Sequence, residues 1–471
     1  MKPPEQVDLI LKHGCIFTQN ADREVIQDGA IAIRGGRIVA IGVTNEITQS
    51  FKADEMMDMT DRMIFPGLIN VHDHLFQVST KGLGEDMPVQ DWVGAVTAPT
   101  AIHIKPEEKY IFCLIGCLEL IHSGVTTTVD MSYAAREFAL HERNFQAIQD
   151  SGMRGNYSSL ITDYGVGLGV TPDLMHPIDW WMEDYARLLT RFPQGERVVP
   201  WISVGAAWTV SDEGIKATQE FAREWDVPIT MHINENAHDN NTSIDRFGKR
   251  VVPYLSDIGF LEHDLLAVHC VDMDDEDIRL FVENDIKVAY NPISNMYLGS
   301  GIPQMVEMDR AGLDIGIGVD GAGSNNSQDM IESLKAAALL QKVRAQDASV
   351  IDAQKVLDWA TCDAAAAIWM EDEIGSLEVG KQADLFAMQV NSTKFVPVHD
   401  PIASLVYSSG QENVVLTMVN GEILMKERVI QGHDEAALIR QCQSLALGLA
   451  DRCGSNSRLK RSWRPSSWQT G

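Results

Sequence analysis

The chain has 471 residues, 45% of them hydrophobic, and its 38 basic and 67 acidic side chains give a formal net charge of −29. That acidity repels DNA, RNA and other polyanions, so nucleic-acid binding is not expected. No apolar run reaches membrane-spanning length, the first residues lack a signal-peptide pattern, and the seven cysteines include no CxxC pair, so a soluble cytoplasmic protein with no membrane partner is expected.

Up to residue 45 the chain reads as short strands: 7–18, then 30–34 and 37–42 around Gly35-Gly36, a two-residue hairpin signal. Strand candidates then recur at 64–71, 125–131, 153–161, 198–207, 227–232, 264–269, 286–290 and 314–320, with helical periodicity between them, as at 106–122, 213–224, 274–283 and 328–343. Eight strand–helix units over about 300 residues predict a (β/α)8 TIM-like barrel with its site at the C-terminal strand ends. A doubly wound sheet would carry a glycine-rich nucleotide turn early, and Gly165-Val-Gly-Leu-Gly169 has the wrong spacing for one. Strands return at 383–390 and 414–425, with Asn420-Gly421 as a second hairpin turn. The two β-rich ends are expected to join as a small β-sandwich, which assigns 1–62 and 373–432 to the sandwich, 63–372 to the barrel and 433–471 to a C-terminal helix and tail. That tail carries Trp463 and Trp468, candidates for docking on a neighbouring subunit of a homodimer or homotetramer.

The chemistry concentrates at predicted strand ends. His72 and His74 are two apart, so on a strand both imidazoles share a face and can reach one ion, while Asp73 points away. Such a pair alone is also common on surfaces. His232 closes the apolar run 228–232, with Glu235 three residues on; a core histidine is the alternative there. His269 and Asp320 end apolar runs in the same way, and a carboxylate so placed is costly without a cation or donors. Imidazoles and a carboxylate converging on one point suit zinc or iron.

In combination these motifs resemble the amidohydrolase superfamily, in its branch of N-heterocycle deaminases and s-triazine hydrolases. Ser123-Gly-Val-Thr-Thr-Thr128, His232-Ile-Asn-Glu235, His269-Cys270, Asn291-Pro-Ile-Ser-Asn295, Val319-Asp-Gly-Ala-Gly-Ser-Asn-Asn-Ser327 and the stretch 374–384 carry the likeness almost end to end. Local patterns are similar to triazine chlorohydrolases, melamine deaminases and methylthioadenosine/S-adenosylhomocysteine deaminases. The resemblance implies His72, His74, His232 and Asp320 as ligands of one divalent metal per subunit, Zn2+ before Fe2+. Two-metal members carry a bridging lysine or glutamate after the fourth strand, and 198–210 has neither.

It further implies that Asp320 and His269 orient the water and take its proton, and that Glu235 protonates a ring nitrogen and then the leaving amine. Gln77, Trp92 and Trp208 are the candidates for holding the heterocycle. The nucleoside deaminases of this branch carry a glutamate where this chain has Ala101, an arginine where it has Ser159 and a histidine near Ala207 and Trp208. These departures favour a flat amino-substituted heterocycle over a ribosylated one. Hydrolytic deamination is the expected reaction. Dechlorination of a chloro-s-triazine and amide or urea hydrolysis are alternatives on the same centre, and a non-catalytic scaffold is the alternative of another kind.

Overall fold

Gly35 and Gly36 take φ of 57° and 78°, and Asn420 and Gly421 take 52° and 74°. Positive φ at both central residues is what a two-residue turn needs to follow strand twist, and Arg34 duly pairs with Arg37 and Val419 with Glu422. The computed structural model describes residues 4–168, 170–262, 264–390 and 392–455, and within it both hairpins belong to one nine-stranded sheet. Its strands come from both chain ends: Glu5–Phe17, Val25–Arg34, Arg37–Val43, Phe51–Asp58 and Arg62–Pro66, then Leu385–Gln389, Val414–Val419, Glu422–Lys426 and Val429–Ile430. The halves join where Arg62–Pro66 runs antiparallel to Leu385–Gln389, with Phe65 opposite Phe386. Leu9 and Leu11 pack with Ile31, Ile33, Leu385, Leu416 and Met418 in one core, while Ile10 between them joins Ala30 and Ala32 on the other face.

The run expected as a single strand over 64–71 divides at Gly67, where a Cβ would lie 2.0 Å from the Thr126 hydroxyl. Residues before the break stay in the terminal sheet, and those after it open the barrel. Its strands are β1 (Leu68–Asp73), β2 (Val125–Ser132), β3 (Arg154–Ile161), β4 (Val198–Pro200 and Ile202–Val204, interrupted at Trp201), β5 (Ile229–Ile233), β6 (Leu265–His269), β7 (Lys287–Tyr290) and β8 (Ile315–Ile317). Each pairs in parallel with the next. Among the described residues no ladder joins β8 to β1. The seam is bridged instead by Val319 N–H on Asn70 Oδ1 at 2.9 Å and by Asp320 N–H on the His72 carbonyl at 3.0 Å. The expected 314–320 strand is therefore shorter, because past Ile317 the chain turns across the seam.

Ile69, Val71, Val129, Met131, Leu266, Val268 and Ala289 fill the barrel interior, so it is a packed core and not a pore. Helices Pro106–His122, Asp212–Trp225, Asp275–Glu283 and Met330–Ala345 occupy the expected stretches. Glu435–Arg452, capped by Asp434, packs against Pro106–His122. Trp463 and Trp468 lie outside the described residues. No described helix is long and apolar enough to cross a membrane.

Candidate metal centre and active site

Four strand ends deliver the predicted ligands and His269 to one place. β1 carries His72, with His74 one residue past its end; β5 carries His232; β6 ends on His269; Asp320 follows β8. The donor atoms of His72, His74 and Asp320 lie within 4.8 Å of one another, as do those of His72, His232 and His269. His72 Nε2 and His74 Nε2 are each 3.4 Å from Asp320 Oδ1. His74 donates through Nδ1 to the Met131 carbonyl, and His232 through Nδ1 to the Gly205 carbonyl at 2.9 Å. Those bonds set the tautomers and leave each Nε2 lone pair free for an ion. His72 is fully buried, and neither of its ring nitrogens has a hydrogen-bond partner. Leaving a buried polar atom unpaired costs roughly 1–3 kcal/mol, and a divalent ion at this point would satisfy one of the two nitrogens. Three imidazoles and one carboxylate are also the donor types that zinc and iron take.

The charge states favour the same arrangement. Burial pushes His232 well below the ordinary histidine range and His269 down to about 3, with neighbouring imidazoles adding to the effect, so both rings are neutral. Burial works against an ionised Asp320, yet its contact with His72 holds the carboxyl well below the usual range. Asp320 Oδ2 accepts from Ser294 Oγ at 2.5 Å and Ser324 Oγ at 3.0 Å, and Oδ1 accepts the Gly321 N–H at 2.8 Å. Asn291 and Asn295 place their Nδ2 atoms 3.3 Å and 3.1 Å from His269 Nδ1. With both amides donating, the His269 proton sits on Nε2, which lies 3.9 Å from Glu235 Oε2. Burial, reinforced by the charges of Asp239 and Asp320, raises the Glu235 carboxyl well above its ordinary range, which favours the protonated form that a general acid needs. His269 and Asp320 take φ of 75° and 59°. Such left-handed backbone costs roughly 1–2 kcal/mol per residue and is characteristic of functional sites.

A cleft opens over the cluster, lined by His74, His232, Glu235, His269 and Asp320, and both Trp92 and Trp208 reach its wall. Trp208 Nε1 donates to Asp239 Oδ1 at 2.8 Å, and the other oxygen of Asp239 accepts the Glu235 N–H at 2.8 Å. Trp92 is mostly embedded in a small cluster with Val96 and Leu298, its indole N–H on the Gly323 carbonyl at 3.1 Å. Gln77 sits behind the wall and not on it: Nε2 donates to the Tyr133 hydroxyl and Oε1 accepts the Gly323 N–H, and Tyr133 is the residue that faces the cleft. The positions compared with nucleoside deaminases are likewise displaced. Ala98 lines the cleft in place of Ala101, and Leu160 in place of Ser159, whose N–H is taken by the Tyr185 hydroxyl at 2.8 Å. Sequence reasoning gave no role to Asp239, Ser294, Asn295 or Ser324. The last three lie inside motifs it had singled out, but spacing alone does not say which side chain a polar loop residue will hold.

An amidohydrolase family model matches residues 63–424. The chain belongs to the amidohydrolase family. This amidohydrolase is 31% identical over 443 residues to a 5-methylthioadenosine/S-adenosylhomocysteine deaminase of Syntrophus aciditrophicus, covering 94% of this chain and 97% of the relative. It is 31% identical over 458 residues to a 5'-deoxyadenosine deaminase of Methanosarcina mazei, covering 95% and 100%. Among solved structures, an adenosine deaminase from Xanthomonas campestris with bound zinc superposes on the amidohydrolase with a TM-score of 0.87 at 26% identity, covering 95% of this chain and 100% of that one. A zinc complex of an atrazine chlorohydrolase from Arthrobacter aurescens gives a TM-score of 0.86 at 21% identity over 93% and 100%, a likeness of fold.

Proposed function

We propose that this amidohydrolase removes the exocyclic amine of an amino-substituted N-heterocycle by hydrolysis, with one divalent metal, zinc before iron, held by His72, His74, His232 and Asp320. The observation that carries the reading is the convergence of those four side chains from three strand ends beneath a cleft that Glu235 and His269 also face. Deaminase-named relatives along nearly the whole chain support it, and the zinc named for two structures of this fold supports the choice of metal. The cleft wall after β4 offers Gly205, Ala206, Trp208 and Thr209, none of which would bridge a second ion.

When bound, the ion supplies Lewis acidity and a water activated near neutral pH. The chain's own groups divide the proton work. Asp320, ionised and steadied by Ser294 and Ser324, is the group able to accept a proton from the incoming water. His269, with its proton on Nε2, orients that water by donation. Glu235 gives its proton to a ring nitrogen, which lowers the aromatic resistance to attack at the amine-bearing carbon. Its carboxylate then takes the proton of the added hydroxyl as the carbonyl forms and passes it to the departing amine, which leaves as ammonia, and the proton held by Asp320 restores Glu235. Asp239 positions Glu235 through its backbone and Trp208 through its indole. A cytoplasmic homodimer or homotetramer acting on a small heterocycle completes the proposal. Ammonia release from purified, metal-assayed protein across aminopurines, aminopterins, aminopyrimidines and aminotriazines is the test, with a chloro-s-triazine and a urea alongside. Full metal content with no ammonia from any amino compound would overturn the reading.

A further inference from the structure

The cleft carries more information about its substrate than the reaction class alone. Resting on the deaminase reading above, we propose that the heterocycle bears an apolar substituent and no carboxylate or phosphate. The substituent lies against a wall made by Val89, Val93, Leu168, Val170, Leu174 and Leu298. These side chains come from three separate segments: Val89 and Val93 from the helical stretch after β1, Leu168, Val170 and Leu174 from the loop after β3, and Leu298 from the turn after β7. Three independent connections presenting aliphatic groups to one space make an apolar subsite beside the polar one.

Charge excludes an anionic substituent from that space. Among the described residues no lysine or arginine lines the cleft, and its carboxyl groups are Glu235, Asp239 and Asp320. Arg246, behind β4, already directs its guanidinium to the Ala207 and Val210 carbonyls, at 3.1 Å and 2.9 Å, and to Asp212. A carboxylate on the substituent, held against the aliphatic wall and away from the metal ligands, would shed water and find no side-chain cation there. An alkyl group would cover the aliphatic wall, with a gain of about fourfold in binding for each methylene buried.

The experiment uses the metal-replete full-length protein and four ring systems: aminopurine, aminopyrimidine, aminopterin and aminotriazine. Each is offered unsubstituted, with an n-butyl group, and with a 3-carboxypropyl group at the same ring atom. On the ring that releases ammonia, kcat/KM for the butyl compound should exceed that for the bare ring by at least ~10-fold and that for the carboxypropyl compound by at least ~100-fold. Leu174→Arg, a half-buried loop position, should move the butyl-to-carboxypropyl ratio by at least ~10-fold toward the acid. Equal rates for butyl and carboxypropyl compounds, or an unmoved ratio in a folded, metal-replete L174R protein, overturn the apolar subsite while deamination stands. Release of ammonia from no compound overturns the deaminase reading and the subsite with it.

Discussion

Asp239→Asn separates the placement of Glu235 from its chemistry. Asp239 is 6% exposed, and its two oxygens take one donor each, Trp208 Nε1 and the Glu235 N–H, both at 2.8 Å. Asparagine keeps the shape but turns an NH2 toward one of those donors. A hydrogen bond to a charged group is worth about 1.5–3 kcal/mol, and the orphaned donor costs roughly 1–3 kcal/mol; since both figures describe overlapping parts of one contact, the loss is about 2–4 kcal/mol. Only the part that misplaces Glu235 or the Trp208 wall reaches the transition state, so kcat/KM should fall ~10–10²-fold. Asp239 touches none of the proposed ligands, so metal content should stay at the parental level. Steady-state ammonia release, metal analysis and a thermal melt on the same preparation read all three quantities. A folded, metal-replete variant within twofold of the parent would refute the positioning role, and so would activity lost in step with metal.

Four other outcomes are expected. Glu235→Gln should keep its metal and lose ~10²–10⁴-fold in kcat on an amino substrate, with a smaller loss where the leaving group needs no proton; near-normal deamination would remove Glu235 from the mechanism. His72→Ala and Asp320→Ala should lose metal and turnover together from a parent holding about one ion per subunit, and two ions both needed for activity would contradict that. Asp329, with its carboxyl raised by burial to about 6, favours the folded state when protonated, so its contribution is full below about pH 4 and is lost as pH rises through about 6. Asp329→Asn keeps an acceptor for the Ile331 N–H (2.9 Å in the parent), so its advantage over the parent should grow from about 1 kcal/mol at pH 4.5 to about 3 kcal/mol at pH 7.5, read as a widening gap in melting temperature; a pH-independent difference would refute the assignment. Light scattering should find an oligomer at micromolar concentration, and a monomer would count against the docking role given to Trp463 and Trp468.

Much of the barrel was legible in the sequence because buried parallel strands leave continuous apolar runs, and a polar residue ending such a run stands out. His232 and His269 are visible for that reason, and the two hairpins because positive φ at paired positions demands Gly-Gly or Asn-Gly. The break at Gly67 was not legible, since Phe65 and Leu68 look alike in a run and only the terminal sheet distinguishes them. Gln77, and the offsets between Ala101 and Ala98 and between Ser159 and Leu160, were hidden for a related reason. Which residue of a strand or helix faces the cleft is decided by packing against distant segments, here Tyr133, Tyr185 and Gly323. The supports of Asp320 and His269 come from loops whose polar residues have no periodicity to read.

The joining of Arg62–Pro66 to Leu385–Gln389 has a consequence for how the chain is made. The N-terminal strands leave the ribosome first, but the edge at Arg62–Pro66 has no partner until about 320 further residues have been added, which at ~5–20 residues per second is on the order of 15–60 s of synthesis. During that interval an apolar strand edge carrying Ile64 and Phe65 stands open to any neighbouring nascent chain. Closing so distant a pair also carries a large loop entropy unless the intervening barrel has already drawn its ends together. The order of events follows from the topology: barrel first, terminal sheet last. Overproduced material should therefore be rescued more by fewer chains in synthesis at once, or by added chaperone, than by changes to the barrel core.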